Sequence, residues 1–269
     1  MSRAAAHAKI NLALVVGPRR GDGKHEVATV LQRIGLADEL ELEPAPSLLV
    51  DGFQGDTLVT AALEALAAAA GTPLGWRVHI EKRIPVAAGL GGGSSDAAAA
   101  LLVANETLPQ PLPPPELERI AAAIGADVPF FLRTGAQLGT GDGTALRRLD
   151  LPSGYHVLLV CPHGQTKRST AEVYAGFDGR NGARGFEERR AALLDALEDV
   201  CEPRDLAGLP RNDLASSQLA AELEGVGAFR ADVSGAGPTV YALFEHEEAA
   251  RRAAAMVAQA GRTLLTRPA

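Results

Sequence analysis

Residues 84 to 105, IPVAAGLGGGSSDAAAALLVAN, set Gly89, Gly91, Gly92 and Gly93 beside Ser94 and Ser95, directly ahead of an alanine-rich run. Glycines let backbone amides approach a ligand closely, and a helix starting behind them adds unpaired N–H groups and a partial positive charge. Such a junction is an anion site, most often for phosphate, although the same glycines also make a tight turn with no ligand. The candidate cradle is Pro85, Val86, Ala87, Ala88, Gly89, Leu90, Gly91, Gly92, Gly93, Ser94 and Ser95.

Spacing excludes some phosphate-binding patterns and disfavours another. A Walker loop needs GxxxxGK[ST], and Gly23-Lys24 is followed by His25. The dinucleotide fingerprint GxGxxG is nearly met by Gly89, Gly91 and Ser94. It expects an acidic residue about 20 positions on, however, where the connector PQPLPPP stands. A protein kinase would carry HRD and DFG, and neither string occurs. Other residues able to do chemistry are scattered. Asp127, in GADVPFF, is a candidate base or a turn cap before Pro129; Lys9 and Asn11 share the polar face of a first strand, where a solvated lysine is the default.

The elements that must position these groups follow from periodicity. AKINLALVV alternates as a strand with Ile10, Leu12 and Leu14 on one face; GPRRGDGKHE is turn-rich; a helical or irregular stretch precedes the strand ADELELEP. A helix follows with Asp56 or Thr57 as cap and Gly71 as stop, then a strand with Trp76, Val78 and Ile80 inward. The alanine-rich helix is expected from about Ser95 to Leu108, one serine capping it, with a shorter helix ending at Gly125. GAQLGTGDGTALRRL reads as a strand pair, and HVLLVCP opens a new core after the turn DLPSGY. The domains are therefore placed at 1–152 and 153–269, with the last strand an element able to return to the first domain. The second half reads as a strand, the loop HGQTKRST, two helices (the EERR of the second as a solvated face), and a helix capped by NDL. Two strands around the glycines 235 and 237, a final helix and a final strand complete it. This order is α+β rather than doubly wound.

Composition narrows the classes. At 269 residues with 46% hydrophobic and 22% charged positions, the chain has room for two ordinary domains, and its apolar runs are too short for a membrane span. Lys9 and Asn11 interrupt the N-terminal apolar run, so it is read as mature sequence of a cytoplasmic protein. The net charge of −7, without a basic block, argues against nucleic acid and for a small-molecule ligand. Cys161 and Cys201 form no CxxC and the six histidines no HxxxH, so buried reduced thiols are expected and no zinc site.

Pro85-x3-Gly89-Leu90-Gly91-Gly92-Gly93-Ser94-Ser95-Asp96-Ala97-Ala98 resembles the second motif of the GHMP superfamily of small-molecule kinases. AKINLAL and DVSGAGPTVYALF resemble its first and third, in the right order. AKINLALVVGPRRGDGKHE, GADVPFFL, RNDL and SGAGPT are most similar to the branch acting on a cytidyl diphosphate-linked polyol in non-mevalonate isoprenoid synthesis. The resemblance implies two α+β domains, the N-terminal one like ribosomal protein S5 domain 2 and holding ATP and catalysis. The C-terminal one would be ferredoxin-like and bind substrate. It implies ATP with Mg²⁺, the triphosphate on 85–95, and Mg²⁺ near Ser94 and Ser95. Asp127 becomes the base and Lys9 its paired catalytic partner. His25 would read the cytosine edge, Tyr174 would stack on the base, and Asn11, Thr170, Gly235 and Gly237 would meet the substrate. The family's tyrosine before the histidine is absent. Lys24 stands there, free to meet a diphosphate oxygen instead. A homoserine or sugar kinase, a non-catalytic ligand-sensing relative and a dinucleotide-binding oxidoreductase remain the alternatives.

Overall fold

The computed structural model describes residues 1–73, 75–164 and 169–269, so part of the loop at 163–170 lies outside the described residues. Two compact units share the chain. Met1–Ala8, Leu36–Val86 and Gly91–Thr134 form the first; Lys9–Gly35, Ala87–Leu90 and Gly135–Ala269 form the second.

In the first unit, the end of β2 (His25–Ala45) pairs antiparallel with β4 (Gly75–Glu81), Leu40 opposite Ile80 and Leu42 opposite Val78. Strand β3 (Leu49–Asp51) lies parallel to β4. Two-residue alternation buries Leu40, Leu42, Trp76, Val78 and Ile80, as expected. Helix α1 (Leu58–Ala70) packs on α2 (Gly92–Glu106), burying Val59, Leu63 and Leu66 against a face of alanines that allows close approach. The Asp56 carboxylate accepts from the amides of Val59 and Thr60, both at 3.1 Å, and Gly71 closes α1 at φ 59°. Asn105 pins the proline connector, accepting from the Leu112 amide at 2.8 Å and donating to its carbonyl at 3.1 Å. Helices α3 (Pro114–Ile124) and α4 (Val128–Phe131) follow.

In the second unit, β1 (Ser2–Arg19) and β2 form a hairpin whose turn is closed by Arg20 N–H to the Lys24 carbonyl at 2.7 Å. Strands β5 (Ala136–Gly141) and β6 (Ala145–Leu149) are the expected pair; β5 lies antiparallel to β2, Val27 opposite Gly141. The stretch before Asp38, expected helical or irregular, is β2 throughout. Val27 to Gln32 are buried on both faces, which removes the alternation that would have marked a strand. Ala8 to Gly17 of β1 are buried likewise, so the expected solvated face of that strand does not exist.

A second sheet has the order β10–β7–β9–β8, all antiparallel, from β7 (His156–Pro162), β8 (Arg230–Val233), β9 (Val240–Phe244) and β10 (Gly261–Thr266). Leu158, Val160, Ala231, Val233, Val240, Ala242 and Phe244 face α7 (Gln218–Gly225) and α8 (Glu247–Met256), which contribute Leu223, Ala250 and Ala253. The opposite face buries Arg230, whose guanidinium donates to the carbonyls of Leu12 at 2.6 Å, Leu209 at 2.7 Å and Pro210 at 2.9 Å. A buried cation so supplied with acceptors acts as a fastener between β1 and the 203–210 segment. Helices α5 (Thr170–Gly179) and α6 (Phe186–Glu198) complete the unit. Arg189 of α6 is not part of a solvated face: it donates to Asp213 at 3.1 Å and to the carbonyls of Val16 and Gly182. Both cysteines are free thiols, but Cys201 is exposed and Cys161 half-buried, against the expectation of two buried ones.

Candidate active site

Backbone conformation defines the glycine loop. Ala87, Gly89 and Gly91 have φ of 60°, 79° and 73°, an alternation of left-handed and ordinary residues that turns successive amides to one side. Helix α2 begins at Gly92, three residues earlier than expected, with Gly91 as N-cap and no side-chain capping bond. Neither Ser94 nor Ser95 caps it; both lie in the first turn, Ser95 buried. Its first intrahelical bond runs from Ser95 N–H to the Gly91 carbonyl at 2.9 Å, so the amides of Gly92, Gly93 and Ser94 lie ahead of it. Amides without an intrahelical acceptor at a helix N-terminus are donors of the kind a phosphate oxygen accepts. Among the described residues no three His, Cys, Asp or Glu side chains gather as a metal site. The two serine hydroxyls are hard oxygen donors of the kind Mg²⁺ accepts beside phosphate oxygens.

Both ends of the loop are fastened by a buried cluster that sequence reasoning missed. Asp38, fully buried, accepts from the amides of Arg83 at 2.5 Å and Ile84 at 2.8 Å, just before Pro85. Lys82 Nζ donates to Asp38 at 2.5 Å and to Asp96, in the first turn of α2, at 2.7 Å. Burial pushes the Asp96 carboxyl up to about 7, against the pull of Lys82, and its Oδ1 has no hydrogen-bond partner. Although burial opposes it, the two carboxylates hold Lys82 above the ordinary lysine value. A Cβ on Gly92 would stand 3.1 Å from Ile84 Cγ2 and 3.3 Å from Lys82 Nζ, so a side chain there would press on the cluster. Lys82 follows a half-exposed strand, and the three members come from separate elements, which no spacing reveals.

In the second unit, parts of all three motifs meet. Lys9, 4% exposed, donates from Nζ to Asn11 Oδ1 at 2.6 Å, and Asn11 donates to Thr29 Oγ1 at 2.9 Å. The Lys9 amide donates to the Leu90 carbonyl at 2.9 Å. Ser234 Oγ donates to the Gly89 carbonyl at 2.9 Å, and a Cβ on Gly89 would lie 2.3 Å from the Ser234 carbonyl oxygen. Gly235, at φ 57°, brings its α-carbon against this group: a Cβ there would meet Asn11 Oδ1 at 3.4 Å and Lys9 Nζ at 3.5 Å. Gly237 has φ 77° in the same turn. Asn212 holds the turn by donating to the carbonyls of Val233 at 2.9 Å and Gly235 at 2.7 Å. The NDL segment is thus a tether and not the cap of a helix, since α7 starts only at Gln218.

A separate cluster surrounds His25. Its ring, 8% exposed as a residue, lies 4.7 Å from that of Tyr174 at 33° and 6.0 Å from Phe177 at 84°. Its Nε2 is 2.8 Å from Asp178 Oδ1. His25 is therefore no surface loop residue. Lys24 is paired with Asp142 at 2.6 Å. Although burial opposes it, bonds from Lys24 and Thr144 hold that carboxyl down at about 2. Thr170 stands exposed in the first turn of α5, after the capping box of Ser169 and Glu172. In the first unit, Asp127 occupies the N-cap position of α4 half-buried, but its side chain makes no capping bond.

Comparison with known proteins adds an independent line. Residues 57–135 match the family model for the GHMP kinases N terminal domain and residues 183–263 that for GHMP kinases C terminal. The chain is 38% identical to a 4-diphosphocytidyl-2-C-methyl-D-erythritol kinase of Geobacter sulfurreducens, covering 94% of this chain and 93% of that one. It is 40% identical to the protein of the same name from Pelotomaculum thermopropionicum, covering 94% and 92%. A crystal structure of a 4-(cytidine 5'-diphospho)-2C-methyl-D-erythritol kinase superposes over 100% of both chains, with a TM-score of 0.79 at 33% identity. The Methanococcus jannaschii mevalonate kinase, at 14% identity and a TM-score of 0.76 over 100% and 98% of the two chains, shares the fold. No helix among the described residues is long and apolar enough to cross a membrane.

Proposed function

The chain belongs to the GHMP kinases and, within them, to the 4-diphosphocytidyl-2-C-methyl-D-erythritol kinases, and from that premise we propose that it phosphorylates the 2-hydroxyl of that cytidyl diphosphate-linked polyol with ATP. The observation that carries the reading is the meeting of Lys9, Asn11, Gly89 and Gly235, which draws on all three family motifs, in a chain alike to these kinases over nearly its whole length. Membership of this family sets aside the dinucleotide-dependent oxidoreductase.

The triphosphate of ATP rests on residues 85–95, where amides offset the charge that spreads over the transferred group. Ser94 and Ser95 would hold Mg²⁺, which would supply charge neutralisation at the phosphate oxygens. Asp127 accepts the proton of the acceptor hydroxyl as its oxygen bonds to the γ-phosphorus and the bond to the leaving ADP oxygen breaks. Lys9 carries the positive charge that keeps that oxygen nucleophilic and in place, and Asn11 sets the Lys9 ammonium by accepting from it. His25 reads the cytosine edge and Tyr174 supplies a ring for stacking, with Asn11, Thr170, Gly235 and Gly237 along the rest of the substrate. Residues 1–152 form the ATP-binding and catalytic domain and 153–269 the substrate domain of a cytoplasmic enzyme without nucleic-acid or membrane partners.

Carbon 2 of this polyol bears a methyl group and no hydrogen. Phosphorus NMR of the product therefore tests the reading: a monoester signal without splitting by a carbinol proton is expected. A split signal, from a primary or secondary ester, would place the transfer on another hydroxyl. Asp127→Asn should lower kcat by orders of magnitude with ATP binding retained, and near-normal turnover would remove Asp127 as the base.

A further inference from the structure

Asp178 is assigned no role by the family pattern, yet it is the hydrogen-bond partner of the His25 ring, 153 residues away in sequence and 2.8 Å away in space. An ionised carboxylate only accepts, so His25 Nε2 must carry the proton and donate it. In the neutral imidazole this leaves Nδ1 as a bare acceptor, and Nδ1 takes no hydrogen bond among the described residues. Tyr174 at 4.7 Å and Phe177 edge-on at 6.0 Å restrain ring rotation, so the ring cannot exchange its two nitrogens without breaking this packing. His25 is nearly buried, whereas the Asp178 side chain is 45% exposed, so the carboxylate stays solvated while it orients a ring held in the interior.

We propose that Asp178 is a specificity-determining positioning residue, which selects cytosine over uracil by fixing the His25 tautomer that presents Nδ1 as an acceptor. The inference rests on the reading above that His25 faces the base. Cytosine carries an exocyclic amino donor where uracil carries a carbonyl acceptor. An acceptor nitrogen pairs with the first and opposes the second. The pairing would reverse if Nδ1 carried the proton. Asparagine at 178 keeps the shape and offers an amide N–H to Nε2, which favours that reversal; alanine removes the orienting bond altogether.

Two measurements on the full-length enzyme at pH 8.5 test this. Nitrogen-15 NMR of the histidine rings should show His25 as the Nε2–H form in the unsubstituted enzyme and shifted toward Nδ1–H in Asp178→Asn. The kcat/KM ratio for the cytidyl substrate over its uridyl analogue should fall at least ~10-fold in Asp178→Asn, through KM, with kcat for the cytidyl substrate kept within about 3-fold. Asp178→Ala should fall between the two. An Nδ1–H form in the unsubstituted enzyme, or an unchanged ratio in Asp178→Asn, would overturn the inference. A loss of kcat equal for both substrates would also overturn it, since a purely structural role does that. Failure of the unsubstituted enzyme to use either nucleotide substrate would instead sink the function assignment, and is told apart by the absence of acceptor-dependent ADP.

Discussion

The Asp38–Lys82–Asp96 cluster and the His25–Asp178 cluster both pair a carboxylate with a basic side chain, yet they differ in where the charge sits. The first places a lysine between two buried carboxylates, with side-chain exposures of 14%, 0% and 2%. The second lets its carboxylate stand 45% exposed beside a buried ring. Buried charge is costly to disturb, so the first suits a part that must not move, namely the two ends of the glycine loop. Exposed charge is weakly coupled, so the second suits selection among similar ligands, where small energies decide.

That contrast can be broken by substitution. Lys82→Met leaves two carboxylates buried without a cation and should lower the unfolding free energy by about 3–5 kcal/mol; a change under about 1 kcal/mol in urea titration would show that the cluster is not a fastener. Asp96→Asn probes the same cluster through pH. Because the folded carboxyl is raised to about 7, the folded state binds a proton more readily than the unfolded chain, so this group's stabilising contribution is lost as pH rises from about 4 through about 7. The drop in stability between pH 5 and pH 8 should therefore be smaller in Asp96→Asn than in the unsubstituted protein, by on the order of 1–3 kcal/mol. Equal drops would contradict the raised value. In the second region, Tyr174→Ala should raise KM for the cytidyl substrate about 10-fold, as expected for loss of one stacking ring, while leaving KM for ATP unchanged. Lys24→Tyr removes only a half-exposed ion pair and should change stability by less than about 1 kcal/mol; a lower KM for the cytidyl substrate would show that a second ring improves the base site.

Much of this was legible in the sequence, for stated reasons. Asp56, Gly71 and the alternation Trp76, Val78, Ile80 carried their local rules into the fold, because each element meets water on one side. The strand at AKINLALVV was legible but its solvated face was not, because β1 is buried on both faces there, and the middle of β2, buried likewise, showed no period at all. The glycine loop announced an anion, and the family resemblance supplied the rest of the candidate residues. Asp178, Asp38 and Lys82 were out of reach. Their partners stand 153, 44 and 14 residues away, and an isolated aspartate or lysine has no signature beyond its charge. Arg189 failed in the same way: EERR has the look of a solvated face, and only tertiary packing brings carbonyls to one of its members.

The central claim is the acceptor. ADP release by the purified protein with MgATP should depend on 4-diphosphocytidyl-2-C-methyl-D-erythritol, with homoserine, mevalonate and free sugars giving only the background rate. Acceptor-dependent ADP with one of those, and none with the cytidyl polyol, would contradict the account.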